Sequence, residues 1–392
     1  QKGKSGRLAL LSSSVLLLAL FLLYAPVSLA GALVPAAFLV LVFQRGEEVS
    51  YILREAWPAL AAFALLFVIS ALISDFPDRV SKASYDFMRG MMVFVLARHV
   101  AAAVPSRVFM ALYVPLLWCT AWGLVAWMLI SGGITGLLDS ELWEQVLKID
   151  FSRNVVATEL VLWCLPAFAL FANAGRDDLD FWTPRLWVPL GLVLGLILLS
   201  HSRGTWLAFI AVMLACLVWR GYRRVVAGCV LALAIGGVAA VVFLEPAQVK
   251  VWLGTDLFRG GDILGGREGI YHSSWGAFLA SPWFGFGAGT FKLLPFAGGF
   301  VHPHMIYLEL LVSVGMVGAI ILTWGLWRLT RVRLLLPSPP FYARLGGLIL
   351  LFFLVRGIFD IRLFGFESWF MLFAALGLLA RPAHGARSWF GP

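Results

Sequence analysis

Charge is what this sequence has little of. Only 13% of its 392 residues are Asp, Glu, Lys or Arg, about half the share of a soluble domain. A solvated globular surface of ordinary size is excluded. Cysteine is also scarce. Cys119, Cys164, Cys216 and Cys229 all fall inside apolar stretches, which argues against a disulfide framework and leaves the redox compartment open. There is no Gly-rich phosphate loop of the Walker type and no Gly-x-Ser-x-Gly elbow, so two common phosphate and acyl chemistries are absent. No block of like charge occurs either. The net charge of +9 is scattered between apolar runs, so no compact basic face forms for nucleic acid. No internal repeat is visible.

What fills the chain is apolar sequence: 61% hydrophobic residues and a mean hydropathy of +0.91. Runs of about 17–25 apolar residues are long enough to cross a bilayer as helices, whereas a β-barrel would show short alternating segments. The expected fold is an all-α polytopic membrane protein of about twelve transmembrane helices. Approximate limits are 8–24, 26–43, 57–73, 84–103, 107–131, 154–173, 185–200, 204–219, 224–244, 303–328, 342–359 and 365–381. The apolar start at 8–24 has no clear cleavage site and is read as a first membrane helix. The organisation is nine spans over 1–244, a long polar loop over 245–302, and three spans with a C-terminal tail over 303–392.

The basic residues orient this topology. Most of the 30 Lys and Arg residues fall on one side, which the positive-inside rule assigns to the cytoplasm. Both termini are then cytoplasmic. The long loop and a smaller acidic loop around Asp139–Asp150 lie on the outer face. Arg79, Lys82, Arg203, Arg267, Lys292 and Arg362 are exceptions to the rule, and an arginine near hydrocarbon usually has a partner or a task.

The long loop is rich in aromatic residues, which suits a folded, membrane-hugging cap. Arg267 to Ala280 reads as a helix stopped by Ser281-Pro282, and Gly285, Gly287 and Gly289 then supply tight turns. Arg203 opens the eighth span after a sharp turn. There the free N–H groups of a helix start and a guanidinium fork coincide, a combination that matches a diphosphate. Arg267 also coincides with a helix start. Taken singly, Arg203 reads equally as an arginine snorkelling to headgroups, and Arg267 as a surface partner of Asp262 or Glu268. His304 precedes the tenth span, with Tyr307 and Glu309 following. Its imidazole suits a general base near neutral pH, or a structural hydrogen bond. A zinc site from His272, His302 and His304 is a rival, lacking a clear fourth ligand. Asp86 and Arg89, three apart on one helix face, either pair or free Arg89 for the site. Arg356 and Asp360 read as a pair.

Three patterns follow one another in order. Ser202-Arg203-Gly204-Thr205-Trp206 opens a span. Arg267 leads through Trp275 to Ser281-Pro282-Trp283-Phe284-Gly285-Phe286-Gly287. His304-Met305-Ile306-Tyr307-Leu308-Glu309-Leu310 leads to Gly315-Met316-Val317-Gly318. Together, mainly over residues 195–325, they resemble the O-antigen ligase/polymerase family of bacterial inner-membrane glycosyltransferases. One departure is Met305, where many relatives carry Asn. The resemblance implies a GT-C-like fold with a large, partly helical periplasmic loop and a periplasmic active site. It implies a glycan donor on undecaprenyl diphosphate and, in the ligase branch, a sugar hydroxyl of lipid A–core oligosaccharide as acceptor. Its motif residues carry over to Arg203, Arg267 and His304 as catalytic groups. Arg89, His201, His302 and Tyr307 are the expected substrate contacts. Because two arginines can neutralise a diphosphate, no metal or other cofactor is expected. The same donor would serve an O-antigen polymerase or a protein O-glycosylating enzyme. A transporter is the reading from another class, but transporters place charge near mid-membrane on repeated, broken helices, whereas here the candidates gather at one surface.

Overall fold

A computed structural model describes residues 27–136, 153–173, 184–199, 202–228, 230–232, 235, 267–297, 300, 302–330, 340–359 and 361–380. The expected spans at 8–24 and, for the most part, 224–244 lie outside these residues, as do the Asp139–Asp150 loop and positions 245–266. All regular structure among the described residues is helical. In chain order the main elements are α1 (Val27–Ile73), α2 (Pro77–Ala103), α3 (Ser106–Gly136), α4 (Arg153–Asn173), α5 (Pro184–Leu199), α6 (Arg203–Trp219), α7 (Glu268–Ala280), α8 (Ile306–Thr330), α9 (Phe341–Arg356) and α10 (Phe366–Leu379). Two short 3₁₀ turns, Phe291–Leu293 and Pro295–Ala297, lie between α7 and α8.

Helices pack where apolar faces meet. Within a bilayer, lipid tails compete for apolar surface, so close packing has to supply the cohesion. The ring of Phe87 on α2 shows how. It meets Phe63, Phe67, Trp369 and Phe373 edge-on at centroid distances of 4.8, 5.2, 5.0 and 5.1 Å. One side chain thus ties α1, α2 and α10 together in the edge-to-face geometry that aromatic quadrupoles favour.

Among the described residues two helices are long and apolar enough to cross a membrane, α1 and α8. A third span results if α2 and the first part of α3, bent by 117° at Val104-Pro105, count as one. Helices α4, α5, α6 and α10 are apolar over shorter stretches. The chain is thus a multi-pass helical membrane protein. Where two separate spans at 26–43 and 57–73 are expected, the helix runs on through 44–56 and is interrupted only at Arg45 (φ −141°, ψ 38°). The polar residues of that connection carry the reason. Glu48 accepts a hydrogen bond from His99 Nδ1 at 2.9 Å, and Glu55 pairs with Arg98, both at the C-terminal end of α2.

This pairing defines one end of the bundle. There Arg344 is buried and donates to the Ala172 carbonyl, and Arg220 lies over the Phe171 ring at 5.0 Å. Arg267, His302, His304 and Tyr307 lie at the opposite end.

Candidate active site

Two of the three motifs are locked to each other by backbone. Helix α8 reads in sequence as one span, but it is broken at Gly315 (φ 62°, ψ −170°). A break inside an apolar helix frees carbonyls before it and N–H groups after it, and these must find partners away from water. The loop after α7 supplies them. Phe286 and Gly287 donate N–H to the carbonyls of Val312 and Ser313 at 3.0 and 2.7 Å. Met316 and Val317 donate to the carbonyls of Pro282 and Trp283 at 2.8 and 3.0 Å. The fit leaves no room for side chains. A Cβ on Gly315 would lie 2.4 Å from the Trp283 backbone, and one on Gly285 2.5 Å from the Ser313 carbonyl carbon. Both glycines also hold positive φ, which L side chains disfavour. The first half of α8, residues 306–314, is fixed in this way as a short helix aimed at the site.

The second convergence is a turn just past α9. Arg267 stands at the N-cap of α7, as the Ser-Pro stop and the preceding glycines lead one to expect. Its Nη1 donates to the Phe359 carbonyl at 2.6 Å. Gly204, second residue of α6, sits against the same turn, where a Cβ would meet Phe359 Cβ at 2.7 Å and Arg356 Nη1 at 3.0 Å. Arg203 is the first residue of α6. Its side chain lies outside the described residues. The α5–α6 hairpin is closed by the Trp206 indole, which donates to the Ile197 carbonyl at 2.9 Å, and by a 2.8 Å contact between the Ser202 and Thr205 hydroxyls. From the third motif, Ile306 N–H donates to the Gly357 carbonyl at 2.9 Å, and the Tyr307 hydroxyl donates to the Leu354 carbonyl at 2.8 Å. The buried Glu309 carboxylate accepts from Leu363 N–H at 2.6 Å. Residues 357–363 are thus the common footing of all three motifs.

His304 holds φ 57°, the one positive value among the described non-glycine residues. Such a conformation costs on the order of 1–3 kcal/mol and persists where neighbours enforce it. Here its own N–H donates to His302 Nδ1 at 3.1 Å, and the two imidazoles lie 4.3 Å apart, centroid to centroid. Phe300 stands edge-on to the His304 ring at 5.9 Å. With Nδ1 of His302 used as an acceptor, a neutral His302 carries its proton on Nε2. His302 therefore positions His304, and both imidazoles remain half-exposed.

The other expected site residues separate. Tyr307 joins the group through Leu354. Arg89 stands on α2, ion-paired with Asp86 and lying over the rings of Phe366 and Tyr85 at 4.0 and 4.8 Å. Among the described residues it makes no hydrogen bond to Arg267, His302 or His304. His272 is exposed on α7, and among the described residues no three His, Cys, Asp or Glu side chains gather as metal ligands. His201 and Asp360 lie outside the described residues. Sequence reasoning missed the footing itself. The carbonyls of Gly357 and Phe359 carry no side-chain signature. Arg356, buried with Nε 3.3 Å from the Thr158 hydroxyl, reads in sequence only as a partner for Asp360.

Glu309 and Leu363 are buried behind the turn that receives Arg267, at one end of an apolar bundle. No curated protein matches the sequence. A family model described as O-antigen ligase matches residues 188–323, the stretch containing Arg203, Arg267 and His304. The match covers about a third of the chain's length.

Proposed function

We propose that the protein is a membrane glycosyltransferase of the ligase type. It transfers a glycan from undecaprenyl diphosphate to a sugar hydroxyl of lipid A–core, with its site on the periplasmic face of the inner membrane. The observation that carries this reading is the meeting of Arg267, the α6 start with Arg203, and the His304 segment on one turn, 357–359. In this reading each partner of a displacement is assigned a residue. The acceptor oxygen bonds to the anomeric carbon as the bond from that carbon to the diphosphate oxygen breaks. His304 takes the acceptor's proton. The departing diphosphate gathers negative charge beside Arg203 and Arg267, and preorganised cations at the position of developing charge are a large source of rate. One displacement inverts the anomeric centre. The two guanidinium groups take the neutralising role that a metal has elsewhere, so the reaction is proposed to be metal-independent. A GT-C-like frame of about twelve helices, both termini cytoplasmic, belongs to the same proposal.

The test is transfer by the purified protein from lipid-linked glycan to lipid A–core in the presence of EDTA. The expected result is a conjugate with inverted anomeric configuration at the new linkage. Elongated donor-linked glycan without conjugate would replace this reading with a polymerase. Absence of any covalent product, with donor bound and moved across vesicles, would replace it with a carrier.

A further inference from the structure

Past the turn that receives Arg267, the chain runs on to Arg362, where a second group of cations stands. Gly289 packs between the segments that carry them. A Cβ there would lie 3.6 Å from the Arg79 carbonyl oxygen and 3.7 Å from Phe364 Cβ. Arg79 and Lys82 come from the first turns of α2, Lys292 from the 3₁₀ turn Phe291–Leu293, and Arg362 from the connection to α10. The Lys292 ammonium titrates below the ordinary lysine value, first because of the Arg79 guanidinium, then through desolvation, Arg362 and Lys82. Crowding like charges is unfavourable, and acids normally relieve it. Here they do not. Asp75 and Asp78 are close in sequence, yet among the described residues none of the four cations forms an ion pair. Arg362 Nε is buried and has no hydrogen-bond partner among them, although buried donors are nearly always satisfied.

The segments that carry the four charges are packed together through backbone. Gly289 fits against α2 and the 361–365 connection, and Glu309 holds the Leu363 N–H beside Arg362. Arg362 is three positions past Phe359, a chain distance of at most about 11 Å. Arg362 therefore lies close to the turn that receives Arg267.

We propose that Arg79, Lys82, Lys292 and Arg362 form a second anion site that seats a phosphate monoester of the acceptor glycolipid, orienting its sugar hydroxyl toward His304. Naming the acceptor rests on the ligase reading. The anion chemistry stands apart from it. Two guanidinium forks and two ammonium groups on three separate segments exceed what one phospholipid headgroup needs, and they match a glycolipid with phosphate on a rigid sugar.

The experiment uses the full chain in nanodiscs, with the paired substitution Lys82→Gln/Lys292→Gln at two exposed positions. The probes are bisphosphorylated lipid A, the same lipid after phosphate removal, and phosphatidylglycerol as competitor. A basic group near a membrane anion contributes roughly fivefold in affinity, so the pair should weaken lipid A binding by about tenfold or more. Dephosphorylated lipid A should bind wild type and variant alike. In the transfer assay the acceptor KM should rise by a similar factor, with kcat within about twofold and the donor KM unchanged. Equal lipid A binding by wild type and variant would overturn the proposal. So would full displacement of lipid A by equimolar phosphatidylglycerol, or a rise confined to the donor KM. Phosphate-dependent lipid A binding lost in the variant, in a protein that transfers nothing, would uphold the anion site while removing the ligase reading.

Discussion

The two ends of the bundle treat their cations differently. At the end holding the C-terminus of α2, positive side chains are matched. Arg98 meets Glu55, His99 meets Glu48, and Arg344 meets a carbonyl. At the other end, Arg79, Lys82, Lys292 and Arg362 have no ion pair among the described residues, and Arg267 donates to the backbone oxygen of Phe359. The first pattern fixes helices against one another. The second leaves donors and charge facing outward in a fixed frame, which is what recognition of an anion requires. A count of basic residues per side would not separate the two patterns.

The sharpest way to break this comparison is to remove the imidazole. His304→Asn keeps a residue tolerant of positive φ and deletes the base. Transfer should fall about 10²–10⁴-fold, with thermal unfolding of the purified variant little changed. Wild-type turnover would take His304 out of the reaction. Next in size is Arg267→Ala, expected to cost about 10²–10³ in kcat. Arg267→Lys should recover little of it, because an ammonium cannot reproduce the guanidinium fork. Matching activity in the lysine variant would reduce Arg267 to a simple charge. Third, Gly315→Ala should destabilise the fold by on the order of 1–3 kcal/mol or more, through the disfavoured φ and the contact with the Trp283 backbone. A lowered unfolding temperature in detergent measures it, and an unchanged one would show that the break in α8 heals. The smallest effect is expected at the paired end. Glu55 is half-exposed, so Glu55→Gln should cost at most about 1 kcal/mol of stability and leave transfer within about twofold. A loss of transfer as large as that of Arg267→Ala would show that the two ends do not divide the work as described.

Much of this is legible in the sequence. Hydropathy alone gives the helical membrane class, and the helix from Arg267 to the Ser281-Pro282 stop appears as α7. Three things are not legible. The break at Gly315 is hidden because a lone glycine in an apolar run looks like a tolerated residue, and the hydrogen bonds that compensate it come from about thirty residues upstream. The helix through 44–56 is hidden because Glu48 and Glu55 read as loop polarity until His99 and Arg98 are seen to face them. The footing at 357–363 is hidden because it is built from carbonyls and one N–H, which every residue possesses. Arg89 shows the reverse case. The sequence leaves it open between pairing with Asp86 and facing the site, and in the fold Asp86 and Phe366 engage it.

The four backbone bonds across the α8 break act as a ruler. Positions 282 and 283 are matched to 316 and 317, and 286 and 287 to 312 and 313. Deleting or inserting a single residue between Trp283 and Phe286 would put one pair of bonds out of step with the other. That short stretch should therefore refuse changes in length, even where it would accept a change of side chain.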